Sequence, residues 1–316
     1  MKIITDQDLN PNIIRYLEAV EDRDIFYKAY NLKHPLALYN TSFSKVITAL
    51  EDFSDVYDNL ILEDFTSNKN KNDKCVNLLK NYKTFLYSLR EYLDDCFHII
   101  KIFISPQSSF KKDRNQCNWL KKNALSETKD FFETIKDYKK YLDNIVNELK
   151  HQNGVLNYVV FYNERSGEFH MGYFVANVRN DAYEPVDHIH KRFQEQYTAF
   201  SFNRDVKYNL FNIFLISEGL VEFLEAMNLK TNFAGKITKK KSNKRESLYK
   251  KIMDMPRVFF PDEYSKNVPS VYLLKEGGLK LEYPSISLSL QKLTCGKMLL
   301  SHSGDGKTRE FKVLYY

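Results

Sequence analysis

Residues 75–103 read CVNLLKNYKTFLYSLREYLDDCFHIIKIF. Apolar side chains recur at Cys75, Leu78, Leu79, Tyr82, Phe85, Leu86, Leu89, Tyr92, Leu93, Cys96, Ile100 and Phe103. Steps of three and four place them on one face of a helix of about 30 residues. Ser105-Pro106 ends it, because proline disfavours helical geometry in the residue before it. Upstream, beyond the polar loop TSNKNKND, a second stripe runs Phe43, Val46, Leu50, Phe53, Tyr57, Leu60. Downstream, a third helix starts near Ser126, a suitable N-cap, and carries Phe131, Ile135, Tyr138, Leu142, Ile145 and Leu149. Gly154 is the expected C′ residue. A fourth helix covers about Asp205–Met227 and is apolar on several sides, so it is expected to be the most buried.

Between the third and fourth helices the period falls to two. Leu156–Tyr162 (LNYVVFY) and Phe169–Val178 (FHMGYFVANV) flank NERSGE and predict a β-hairpin. Past residue 255, short strands are expected at Val258–Phe260, Ser270–Leu274, Leu279–Tyr283, Ile286–Leu290, Lys297–Leu300 and Glu310–Tyr315. Pro256, Pro261, Pro269, Pro284 and glycine pairs lie among them. The expected fold is therefore α+β. A mainly helical four-helix bundle with an inserted hairpin at about 155–178 occupies 1–229, a basic connector 230–255, and a small β-rich region 256–316.

Charge is concentrated. The chain of 316 residues carries a formal +6, yet residues 236–251 (KITKKKSNKRESLYKK) alone carry +7, and the other 300 sum to −1. That excludes a histone-like or ribosomal-tail composition. With 43% hydrophobic residues, 10 Gly and 8 Pro, a disordered or fibrous chain is excluded as well. Lys239, Lys240, Lys241, Lys244, Arg245, Lys250 and Lys251 can neutralise phosphates without reading sequence. No aromatic residue lies within 236–248, so base stacking is not indicated there.

The opening MKIITDQDLN lacks the apolar stretch of a signal peptide, and no apolar run approaches a membrane span. Cys75, Cys96, Cys117 and Cys295 are scattered without CxxC pairing, as expected of buried thiols in a cytoplasmic protein. No metal or other cofactor is indicated. His188 and His190 in VDHIHK lack a third ligand. GDGKT at 304–308 has Ser301 where a P-loop needs glycine, and a strand-like run follows it; it reads as a hairpin turn.

The end of the third helix, NELKHQN at 147–153, is the main candidate for chemistry. His151 lies about 200° beyond Leu149, on a polar face with Asn147 and Asn144. Imidazole has the side-chain pKa suited to proton transfer near neutrality. The plainer alternative is that Lys150 and His151 are cations answering the helix macrodipole.

Four long helices, one of them ending in this short polar-basic segment, resemble the HEPN superfamily of helical-bundle domains found in toxin–antitoxin, CRISPR and phage-defence systems. The resemblance implies a metal-independent ribonuclease in which His151 moves a proton and Asn147 stands at the family's polar position. The arginine expected upstream of the histidine is absent, the positions being Ile145 and Val146. Arg204 in FSFNRD is the candidate to supply that charge from the fourth helix. A homodimer or a partner protein of a defence system is implied, with RNA a better ligand than DNA. The alternative function is a non-catalytic nucleic-acid-binding or adaptor subunit. A third is an interaction protein that docks a partner through the edges of its C-terminal sheet.

Overall fold

A computed structural model describes residues 1–5, 9–21, 25–62, 71–123, 126–162, 169–179, 182–227, 243–275, 277–283, 297–300 and 310–311. The class is α+β. Among the described residues, seven α-helices form: α1 (Ile13–Ala19), α2 (Pro35–Leu62), α3 (Lys71–Ile102), α4 (Gln116–Lys122), α5 (Ser126–His151), α6 (Phe202–Ala226) and α7 (Asn243–Asp254). The strands are β1 (Lys2–Ile4), β2 (Val155–Tyr162), β3 (Phe169–Arg179), β4 (Ala182–Pro185), β5 (Phe200–Ser201), β6 (Ser270–Leu273), β7 (Leu279–Glu282), β8 (Lys297–Leu300) and β9 (Glu310–Phe311).

The apolar stripes do what their spacing predicts. Phe43, Val46, Leu50 and Phe53 of α2 and Leu78, Phe85, Leu86 and Leu93 of α3 are essentially sealed from solvent. α2 packs along α3, α3 also meets α5 and α6, and α5 packs on α6. From Phe202 to Leu224 almost every α6 side chain is buried, so α6 is the central element.

The hairpin forms in antiparallel register, from Val155 opposite Ala176 to Tyr162 opposite Phe169. It seeds a six-stranded sheet ordered β8-β2-β3-β4-β9, with β5 added to β3. A second sheet runs β1-β7-β6 and pairs the first residues with the last third of the chain, Lys2 opposite Glu282 and Ile3 opposite Leu281. The strands expected of a separate C-terminal region thus complete sheets begun far upstream. Across the expected connector, α7 is a helix docked by the buried Leu248, Tyr249 and Ile252.

Several expected details differ. No strand forms at Val258–Phe260: the Phe260 N–H is taken by the Ser201 hydroxyl (3.2 Å) and the Glu263 carboxyl (3.1 Å), which leaves it no ladder partner. Asn153, not Gly154, adopts the left-handed backbone after α5 (φ 57°). Gly154 is needed for closeness instead, since a Cβ there would lie 2.9 Å from Glu148. Ser201 is the N-cap residue of α6, one turn earlier than the expected start near Asp205. The strand expected at Ile286–Leu290 and the GDGKT turn lie outside the described residues.

A buried carboxylate ties the helices to the sheet. Asp205 of α6, 1% exposed, accepts hydrogen bonds from Tyr82 of α3, Tyr141 of α5 (2.5 Å) and Tyr173 of β3 (2.7 Å). Asn209 Nδ2 adds a fourth at 3.2 Å, and Tyr138 Oη donates to Asn209 Oδ1 at 3.0 Å. Burial, with the Asp205 charge beside them, holds the hydroxyls of Tyr82, Tyr141 and Tyr173 well above the ordinary phenol range, so they remain donors.

Tyr173→Phe should lower the unfolding free energy by about 1.5–3 kcal/mol, the range for a bond to a charged group. At Gly172 an added Cβ would come within 2.3 Å of both the Phe200 carbonyl and the Phe260 ring. Gly172→Ala should therefore cost about 1–3 kcal/mol through overpacking. Urea unfolding of both variants checks these values, and a neutral result for either would show that the sheet–helix junction tolerates rearrangement.

Candidate nucleic-acid interface

At the C-terminal end of α5, Asn147 and His151 are exposed and Asn144 is half-buried, so the three share an outward face as their spacing requires. Their neighbours are engaged. Glu148, buried, accepts a hydrogen bond from Asn177 Nδ2 of β3 and lies 3.7 Å from the exposed His188. Lys150 Nζ sits 4.7 Å from the ring centroid of Tyr87, whose hydroxyl donates to the Leu149 carbonyl at 3.4 Å. This Lys150 contact anchors α5 to α3.

Arg204 lies elsewhere. It is 9% exposed, donates from Nη2 to the Asn267 carbonyl at 3.2 Å, and places its guanidinium 5.8 Å from the Tyr208 ring centroid. It is buried because α6 begins at Phe202 and its first turn is enclosed by residues 255–267. Its neighbour Asp205 bonds Tyr141, and His151 lies ten residues further along α5, about 15 Å by helical rise. His151 and Asn147 are therefore brought together, and Arg204 is not brought to them.

The cationic segment is partly neutralised by the body. Lys244 pairs with Glu51 (2.6 Å) and Lys251 with Asp55 (2.6 Å) and Asp58 (3.4 Å), all on α2. Arg245 bonds Asn10 and lies 5.5 Å from the Phe43 ring centroid. Lys250 is exposed. Lys239, Lys240 and Lys241 lie outside the described residues.

A Ser/His/Glu trio that the sequence did not reveal sits at the start of α6. Ser201 Oγ bonds the Glu263 carboxylate, and His170 Nε2 lies 2.7 Å from the same Oγ. All three are buried. The carboxylate holds the hydroxyl and not the imidazole, which is the wrong order for a hydrolytic triad. The trio instead fastens β3, β5 and the 3-10 turn at 261–265 to one another. Of the VDHIHK pair, His190 is buried and its Nε2 accepts the Val175 N–H at 2.8 Å. Among the described residues, no group of three or more His, Cys, Asp or Glu could hold a metal ion, and no helix is long and apolar enough to cross a membrane. Cys75, Cys96 and Cys117 are buried thiols that form no disulfide.

The sequence also passed over a cavity of about 910 Å³ where α3 ends, lined by cations and aromatic rings from residues 101–119 and Tyr30. No family model matches the chain, and neither a curated protein nor a solved structure matches it.

Burial pushes His170 and His190 down to about 3, so both stay neutral in the fold while the unfolded chain protonates near 6.5. Each therefore contributes stability present above about 6.5 and lost as pH falls towards 3. Glu263 runs the other way. Burial raises it to about 7 against the opposing charge of Arg204, and its contribution is lost as pH rises from 4.5 through 7. Asp95, raised by burial to about 6, acts in the same direction as Glu263. His190→Gln keeps an acceptor for Val175 but cannot protonate. The slope of stability against pH between about 4.5 and 6.5 should then fall by about 1.4 kcal/mol per pH unit relative to the wild type. Denaturant unfolding across that range checks the difference.

Proposed function

We propose that the protein binds nucleic acid without cleaving it, as a helical subunit that carries a cationic arm. The observation supporting this most is α7. A basic segment that could have been a loose tether ends in a helix anchored by Leu248, Tyr249 and Ile252, with Lys244 and Lys251 satisfied by α2. Lys250 is exposed, and in sequence it follows the run that holds Lys239, Lys240 and Lys241. Lysines in such a run act as point charges on phosphates and do not read bases. The family's arginine is missing upstream of His151, Arg204 is held by the Asn267 carbonyl, and Lys150 lies over the Tyr87 ring, which together argue against cleavage, because charge developing on a phosphate needs a cation aimed at it. The proposal includes a bundle of the four long helices with the hairpin inserted, and RNA in preference to DNA. It also places the protein beside a second copy or another protein of a defence system, on the sequence resemblance alone.

Single-stranded RNA binding followed by fluorescence anisotropy tests this. Replacing Lys239, Lys240, Lys241 and Lys250 by Gln should weaken binding and reduce the slope of log K against log salt by up to about 2.8. Unchanged affinity would sink the proposal. In EDTA, the wild type and His151→Ala should both leave RNA intact, whereas cleavage lost in His151→Ala would establish the ribonuclease instead.

A further inference from the structure

The cavity at the end of α3 is a different kind of surface from α7. Lys101 stands at its floor with Nζ 4.9 Å from the Tyr30 ring centroid and 4.7 Å from that of Trp119. Two rings thus fix an ammonium that an exposed lysine would leave free to wander. Lys111, Lys112 and Arg114 come from the segment between α3 and α4 and are exposed along the lining. The lining also holds Asp113, which pairs with Lys122 at 2.5 Å and is already neutralised. No ion pair among the described residues engages Lys111, Lys112 or Arg114. Among the described residues the cavity therefore carries an unanswered positive charge, on a protein whose charge outside 236–251 is close to balanced.

Its apolar part is as specific. Phe110 is half-buried and meets Trp119 edge-on, with ring centroids 5.4 Å apart and planes at 83°. Trp119 is 5% exposed, so it braces Phe110 and Lys101; the half-buried rings of Phe110 and Tyr30 line the cavity, and Tyr30 already carries the Lys101 ammonium, which leaves Phe110 the ring for a ligand's base. The segment that carries these groups is held in shape. The Lys111 N–H donates to Asn123 Oδ1 at 2.8 Å, and Asn123 Nδ2 donates back to the Lys111 carbonyl at 2.9 Å. Asp113 Oδ1 accepts the Asn115 N–H at 2.8 Å. A volume of about 910 Å³ is ample for a small ligand.

The geometry points to a nucleotide site: the base stacks on Phe110, and the phosphates are held by Lys101, Lys111, Lys112 and Arg114. Base planes stack on aromatic rings whatever their sequence, and clustered lysine and arginine side chains neutralise phosphate oxygens. The same chemistry belongs to a free nucleoside triphosphate and to the phosphorylated end of a single strand. Binding here does not depend on α7, which is anchored on α2 instead.

Trp119 is the chain's single tryptophan, so its fluorescence reports on this cavity alone. The full-length protein is titrated with ATP, with a 5′-phosphorylated oligouridylate and with pyrophosphate, excited at 295 nm. A saturable change with ATP or with the oligonucleotide supports the site, and whichever is tighter identifies the source of the nucleotide. A triple reversal at Lys111, Lys112 and Arg114 to Glu should weaken binding by at least about tenfold, with circular dichroism and melting unchanged. Phe110→Leu should weaken ATP and leave pyrophosphate unaffected. Neutralising Lys239, Lys240, Lys241 and Lys250 should leave the Trp119 response intact, which separates this site from the arm. No response to millimolar ATP and oligonucleotide, equal affinity for ATP and pyrophosphate, or indifference to the triple reversal would overturn the assignment.

Discussion

One buried carboxylate orders the centre of this molecule. Asp205 sits in the first turn of the most enclosed helix, and donors reach it from α3, α5 and β3. A charge at that depth is tolerable only because hydrogen bonds surround it. The geometry of those bonds fixes where each donor's backbone must lie. Tyr82, Tyr141 and Tyr173 come from three separate elements, so their relative placement is not free to drift. The aromatic contacts follow from the same convergence: Tyr82 lies 4.8 Å from Tyr173 and 4.9 Å from Phe202, centroid to centroid. The apolar stripes bring the helices together, and the carboxylate selects one arrangement among those the stripes would permit.

That choice also decides what the start of α6 can do. Ser201, Asn203, Arg204, Asp205 and Lys207 follow closely in sequence and all are buried. Asn203 donates to the Pro256 and Val258 carbonyls, Arg204 to Asn267, and Lys207 to Met255 at 3.3 Å. Burial lowers Lys207 to about 8, yet its ammonium faces a carbonyl and not a cleft. A polar run that looks reactive in sequence is thus the fastening for residues 255–267. These side chains satisfy backbone groups of a stretch whose only regular element is the 3-10 turn at 261–265.

The helices were legible because burial depends on spacing, and spacing survives in one dimension. The α3 stripe from Cys75 to Phe103 appears in the structure nearly residue for residue. The hairpin register was equally readable, since alternation and a short loop define it. Pairing of the N-terminal Lys2–Ile4 with Leu279–Glu282 was not, because three residues carry no period and their partner lies at the other end of the chain. Tyrosines at stripe positions read as apolar. Their hydroxyls require partners when buried, and that requirement was the available signal for Asp205. Cations interleaved with aromatics at 110–119 were another signal, hidden because they span the α3–α4 junction and the first turn of α4, a helix of seven residues too short to show a stripe. His151 and Asn147 were placed on one face by helical arithmetic alone, but no arithmetic within one helix could locate Arg204.

Charge arithmetic over the whole chain points to a single cationic segment, and folding turns that into a more divided picture. The acidic side chains Glu51, Asp55 and Asp58 of α2 lie under α7 and absorb Lys244 and Lys251. Exposed pairs of this kind contribute little individually, so the buried face of α7 supplies the attachment and the pairs set its orientation. Meanwhile the α3–α4 junction concentrates a second positive charge, residues 101–122 holding six basic side chains and one acidic one. Under the proposed function, the lysines of 236–251 would supply affinity for phosphates but no geometry for bases. A cavity with a ring-fixed ammonium and a braced phenylalanine has geometry and little reach. Placed on different elements, the two proposed surfaces would meet different parts of one polyanion, or different polyanions, without competing for the same side chains.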